Sequence, residues 1–199
     1  PFGSPAQAGF GIGMRVIQAG FMPVVALGMS VAPVAGQNFG ARLPHRVRAT
    51  FKDAALMASG VMLVLTVLAH LVPGPMVGAF SNDLSVTAVG SEYLEIISWN
   101  FVASGLIFVA SSMFQAMGNT IPSLIASAAR ITLVAVPVLY MARQPWFELH
   151  HIWYVAVAAV LGHLVISMLF LRREFRRRLA PMEGAAPVLL SPCSRSRGR

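Results

Sequence analysis

The sequence predicts an all-α integral membrane protein, a polytopic bundle of about five transmembrane helices. Composition is the first reason. Hydrophobic residues make up 56% and charged residues only 11%, with a mean hydropathy of +0.70, whereas soluble domains carry about a quarter charged residues. The second reason is that the apolar residues fall into runs near or above the roughly 20 needed to cross a bilayer core. Within hydrocarbon such a run satisfies its backbone only as a helix, and the alternating ten-residue segments of a membrane barrel are absent. The third is the placement of basic residues at the ends of these runs. A net charge of +8 and a pI of about 11.3 therefore point to lipid headgroups and not to nucleic acid.

The first span covers about residues 9–35, with Arg15 as its only full charge, and is followed by Arg42, His45, Arg46, Arg48 and Lys52. The second, 54–72, opens behind Asp53, a charge favoured by the amino end of a helix. It closes at Pro73-Gly74-Pro75, which removes backbone donors and admits a sharp turn. Residues 76–80 then read as a short interfacial piece and 81–83 as an outer loop. The third span is about 93–117, the fourth 123–142 and the fifth 152–171. Residues 1–178 form the membrane domain. Residues 179–199, with Pro181, Gly184, Pro187, Pro192 and an arginine-serine run, bury too little apolar surface to offset ordering and read as a disordered basic tail. Cys193, the only cysteine, lies there, so no internal disulfide forms.

Orientation follows from counting Lys and Arg outside the spans. With the loop after the first span inside, twelve lie inside and only Arg143 outside, which places the tail in the cytoplasm. The uncharged residues 1–8 then start outside with no signal-peptide n-region, so a helix is expected to precede Pro1.

Ionisable and strongly polar residues within spans are costly and usually face a cavity. Arg130, about two turns into the fourth span, either gates or repels a cationic substrate, pairs with a carboxylate elsewhere, or snorkels to the headgroups. Arg15 has the same alternatives. Asn100, Ser104, Ser111 and Gln115 in the third span are separated by four, seven and four residues and share one helical stripe. That stripe either lines a cavity or bonds neighbouring helices. Antiparallel packing of the third and fourth spans is expected to bring it to Arg130. His150, His151 and His163 lack ligand-spaced companions and read as interfacial anchors beside Trp146 and Trp153. The pairs Gly9/Gly13 and Gly36/Gly40 read as close helix contacts, since no strand precedes them as a nucleotide fingerprint requires. Pro33 and Pro137 read as kinks or structural prolines.

Several short motifs fall in a recognisable order: Gly9-Phe10-Gly11-Ile12-Gly13-Met14-Arg15, Gly36-Gln37-Asn38-Phe39-Gly40-Ala41, Gln115-Ala116-Met117-Gly118-Asn119-Thr120, Trp153, and Arg172-Arg173-Glu174-Phe175. Together, over about residues 8–178, they resemble the multidrug and toxic compound extrusion (MATE) family of secondary transporters. The resemblance implies an incomplete half of a two-lobed transporter, five helices of the C-terminal half, with the N-terminal half as its missing partner. It implies secondary active efflux of drugs or other toxic organic compounds, cationic or amphipathic, across a bacterial inner membrane. Alternating access between the halves and antiport of sodium or protons would drive it, with no cofactor. The site residues are then the candidates Asn100, Ser104, Gln115, Arg130 and Arg15. In coupled members of the family an acidic residue helps bind the cation. Counting back from Gly118 places that position near Ser104, where no carboxylate stands, and Glu92 and Glu95 lie at the helix mouth. The alternatives are a related flippase or exporter of a lipid-linked or polysaccharide substrate, or a non-functional truncated fragment. An enzyme is not expected: no facing pair of acids, Ser/His/Asp order or HExxH motif is present.

Overall fold

The apolar runs become helices in the order α1 (Gly3–Gly40), α2 (Pro44–Leu71), α3 (Pro73–Gly78), α4 (Leu84–Ser98), α5 (Phe101–Ala116), α6 (Ile121–Met141), α7 (Leu149–Arg178) and α8 (Ala180–Glu183). They are seen in a computed structural model that describes residues 3–81, 83–141 and 149–183. Helices α1, α2, α6 and α7 are each long and apolar enough to cross a membrane, while α4 and α5 qualify only as a pair bent by 56°. No strand occurs among the described residues. The protein is an all-α polytopic membrane bundle.

The helices outrun the apolar spans because hydrocarbon limits only the uncharged stretch, while the helix continues into the headgroup zone. Helix α2 starts with Pro44 in its first turn, where a missing N–H costs nothing. Asp53 therefore lies more than two turns inside, beyond the first turn over which the helix dipole acts, so the reading of Asp53 as an amino-end charge is corrected. Helix α4 does carry such a charge. Asp83 caps it, its carboxylate accepting from the Ser85 N–H at 2.8 Å and the Ser85 hydroxyl at 2.7 Å. These bonds hold the Asp83 carboxyl below the usual carboxylate range.

Two helices end alike. After α1, Leu43 N–H donates to the Asn38 carbonyl at 2.9 Å and Arg42 takes a left-handed φ of 56°. After α5, Asn119 N–H donates to the Phe114 carbonyl at 3.0 Å and Gly118 takes φ 68°. This is the Schellman cap. Glycine adopts it freely, whereas a residue with a Cβ bears roughly 1–2 kcal/mol of backbone strain.

Helix α1 is the packing centre, touching α2, α4 and α5; α7 packs on α5, α6 and α4. Small residues permit the close crossings. A methyl on Gly9 would stand 2.9 Å from the Val86 carbonyl oxygen, and one on Gly90 would meet Val77 at 2.8 Å. Gly13 lies under the Tyr93 ring and Gly28 under the Phe108 ring. The close-contact reading thus holds for Gly9 and Gly13. It holds loosely for Gly36, against Ala116, and not for Gly40, which meets nothing within 4 Å. Proline does not interrupt α1, which contains both Pro23 and Pro33.

The basic segments gather at one end of the bundle. Arg48 pairs with Glu183 at 3.2 Å, and the Phe51 and Phe175 rings stack edge to face at 5.9 Å. Leu179 is fully buried, and the turn of α8 that follows lies where the sequence led us to expect disorder. The rest of that tail, with Cys193, lies outside the described residues, as do Arg143 and Trp146.

Candidate functional site

The third span is broken where no proline or glycine announces a break. Helix α4 stops at Ser98 and α5 starts at Phe101, freeing backbone groups that hydrocarbon cannot satisfy. Thr66 from α2 meets one of them, and His70 from α2 meets the Ser98 side chain. Thr66 Oγ1 lies 3.1 Å from the Ser98 carbonyl and 2.8 Å from the Met62 carbonyl, so its one proton serves both in turn. The buried Ser98 hydroxyl donates to the Glu95 carbonyl at 2.8 Å and sits 3.2 Å from His70 Nδ1. That nitrogen is also 2.9 Å from the Thr66 carbonyl; a carbonyl only accepts, so the proton resides on Nδ1. The His70 ring abuts the Trp99 indole edge to face at 5.3 Å.

Asn100 sits in this joint as the residue before α5. Its side chain is 4% exposed, and its Oδ1 has no hydrogen-bond partner among the described residues. Ser104, one turn on, is half-buried, whereas Gln115 at the far end of α5 is exposed. The candidates thus separate along α5: Asn100 and Ser104 adjoin the joint, Gln115 lies by the basic end, and Arg15 is exposed on α1.

Arg130 does not join them. Helix α6 packs on α7 and approaches α5 only near their connecting turn, where the Ser111 and Ser123 hydroxyls lie 3.1 Å apart. Arg130 is seven residues beyond Ser123, about 10 Å along the helix. The expected meeting of stripe and arginine is therefore corrected: short connections suggest antiparallel neighbours, but the larger buried contact of α6 is with α7. There Arg130 lines a crevice of about 450 Å3 with Ser127, Ile131, Val134, Ala135 and His163. His163 is 6% exposed and its Nδ1 is unpartnered among the described residues. The interfacial reading of His163 is corrected too: it is buried near the middle of α7. Its position eleven residues inside an apolar run was the signal to be read.

A second cavity, about 270 Å3, lies among α1, α2, α3, α4 and the start of α5, with walls that include Val16, Phe21, Met62, Met76, Leu94 and Phe101. It is apolar throughout and holds none of the five candidates. No cluster of His, Cys, Asp or Glu suited to a metal occurs among the described residues. Glu92 and Glu95 are exposed.

With this bundle in view, comparison with known proteins decides the family. The family model described as MatE matches residues 1–141. This chain belongs to the MatE family. Over 173 residues it is 26% identical to "Multidrug export protein MepA" of Staphylococcus aureus (strain MSSA476), covering 84% of this chain and 37% of that protein. It is 23% identical over 181 residues to the protein of the same name from Staphylococcus haemolyticus (strain JCSC1435), covering 89% and 38%. To "FAD transporter" of Shewanella oneidensis it is 27% identical over 136 residues, covering 66% and 29%. The chain thus spans little more than a third of the length of the two multidrug export proteins and 29% of the FAD transporter.

Proposed function

We propose that this MatE-family chain forms part of a secondary active exporter of small, amphipathic organic compounds. The observation that carries the reading is the family match on a bundle of membrane-crossing helices, together with relatives named for multidrug export. A second helical half, the N-terminal one, completes the transport cavity, and the two halves alternate its exposure. The broken α4–α5 pair supports a moving element, because its joint is held by hydroxyl and imidazole contacts and not by continuous helix. Apolar walls such as Phe21, Met62 and Phe101 suit the aromatic part of a substrate. Antiport of sodium or protons supplies the energy. The bundle sits in a bacterial inner membrane with its basic end in the cytoplasm, supported by the gathering of Arg48, Arg178 and their neighbours at one end.

The test is transport by the complete two-half protein in everted vesicles. An imposed sodium or proton gradient should drive accumulation of a fluorescent cationic dye, and collapsing the gradient should abolish it. Gradient-independent or absent transport of every dye tried would defeat the export reading. Orientation is checked separately through Cys193: a membrane-impermeant thiol reagent should label it only in opened cells.

A second reading is favoured by the crevice between α6 and α7. The positive charge of Arg130 and the buried His163, whose Nδ1 has no partner among the described residues, suit the carboxylate or phosphate of an anionic metabolite better than a cation. The relative named "FAD transporter" is consistent with such cargo.

A further inference from the structure

Where the α1–α2 turn meets the end of α7, a pocket of about 390 Å3 is lined by Phe39, Arg42, Arg177, Arg178, Pro181 and Met182. We propose that this pocket binds the phosphate of an anionic phospholipid headgroup.

The first ground is the backbone of Arg42. It occupies the left-handed position of a Schellman cap with φ 56°, whereas the equivalent cap on α5 uses Gly118 at φ 68°. The turn asks for glycine and the chain itself supplies glycine at its other copy. A strained arginine in that place implies work for its side chain. The second ground is charge. Arg178 is committed to Glu174 and to the Met117 carbonyl. The guanidinium groups of Arg42 and Arg177 have no hydrogen bond or ion pair among the described residues. The pocket therefore carries two uncompensated guanidinium groups, whose planar forks match phosphate oxygens.

The third ground selects the source of the phosphate. Phe39, Pro181 and Met182 give the same pocket an apolar side, and it lies at the headgroup end of two membrane-crossing helices. A free phosphate ion has nothing to place against Phe39 and Met182. A phospholipid places its glycerol and first acyl carbons there. Occupation would tie the α1–α2 turn to the end of α7 through one ligand.

The experiment uses the full chain purified in a zwitterionic detergent and follows thermal unfolding by tryptophan fluorescence. Phosphatidylglycerol should raise the midpoint, while phosphatidylcholine and inorganic phosphate should not. Arg42→Gly should unfold at the same or a higher temperature without lipid, because the cap is relieved, yet require at least tenfold more phosphatidylglycerol for the same shift. Arg177→Gln, on an exposed helix position, should weaken the response equally. Arg46→Gln removes the same charge from the nearby first turn of α2, outside the pocket, and should respond like the unaltered chain. An undiminished response in both Arg42→Gly and Arg177→Gln would overturn the site. An equal loss in Arg46→Gln would reassign the effect to general surface charge and overturn it as well. A shift with inorganic phosphate as large as with lipid would overturn the lipid assignment.

Discussion

Asn119 Nδ2 donates to Glu174 Oε1 at 2.9 Å, fastening the α5–α6 turn to the last turns of α7. The same oxygen accepts Arg178 Nε at 2.6 Å, and Arg178 Nη1 donates to the Met117 carbonyl at 2.6 Å. A carboxylate only 5% exposed thus joins one amide and one guanidinium. Its removal takes this acceptor from both partners; Asn119 is half-buried and Arg178 38% exposed, so water replaces it in part and the cost is about 1 kcal/mol. Glu174→Ala should lower the thermal midpoint of the purified chain accordingly. Glu174→Gln keeps an acceptor for Asn119 and should lose less. Equal midpoints for the alanine variant and the unaltered chain would show that the cluster contributes nothing.

The α1–α4 crossing gives a sharper contrast between neighbours. A methyl on Gly9 would stand 2.9 Å from the Val86 carbonyl oxygen, a backbone atom that cannot swing aside, whereas one on Gly11 would meet nothing within 4 Å. Gly9→Ala should therefore force the helices apart and destabilise by about 1–3 kcal/mol. Gly11→Ala should be neutral or slightly stabilising, since alanine is the better helix former. Thermal unfolding of the two variants side by side checks this, and equal midpoints would remove the close crossing.

Much of the fold was legible because lipid imposes a simple rule. Charge exclusion marked the spans, and Pro73-Gly74-Pro75 marked the stop of α2, although these residues open the short helix α3 and do not precede it as the expected turn before 76–80. The break at Trp99 and Asn100 was not legible, because nothing in Ser98-Trp99-Asn100 forbids a helix. Its satisfaction by Thr66 and His70 is a tertiary fact, carried by residues about thirty positions away. The site was read less well for a related reason. Spacing on α5 shows which residues share a stripe but not which helix faces it, so Arg130 was assigned to α5 while its packing surface belongs to α7. His163 was read as an interfacial anchor because histidine near tryptophans reads so until its depth along the span is counted.

The Ser98 carbonyl at the joint between α4 and α5 rests on one borrowed hydroxyl. Thr66→Val keeps the shape and removes the donor to the Ser98 carbonyl. Interhelical hydrogen bonds of this kind contribute about 0.6 kcal/mol on average and up to about 1.7, so the midpoint should fall only slightly. The local effect should be larger: amide hydrogen exchange at the start of α5, from Phe101 to Gly105, should accelerate relative to the middle of α2. Unchanged exchange at those amides would mean that the Ser98 carbonyl does not depend on Thr66.

Arg130 decides between the two cargo readings, because a fixed positive charge acts oppositely on cations and anions. If Arg130 repels cations from the crevice, Arg130→Gln in the complete transporter should raise uptake of a cationic dye while leaving organic anions untouched. If Arg130 and His163 hold an anionic group, the same variant should lose anion transport by about tenfold or more, since a charged hydrogen bond is worth roughly 1.5–3 kcal/mol. Arg130→Lys separates charge from geometry: it preserves repulsion but loses the planar fork, so it should behave like the unaltered protein in the first case and poorly in the second. His163→Leu fills similar space without a polar atom. It should relieve an unpartnered buried nitrogen and raise stability if His163 serves only packing, and it should impair anion transport if the nitrogen meets cargo. All rates are normalised to folded protein in vesicles. Unchanged kinetics for both substrate classes in all three variants would remove the crevice from the transport path, and Arg130 would then be a snorkelling residue whose stem lies along α6.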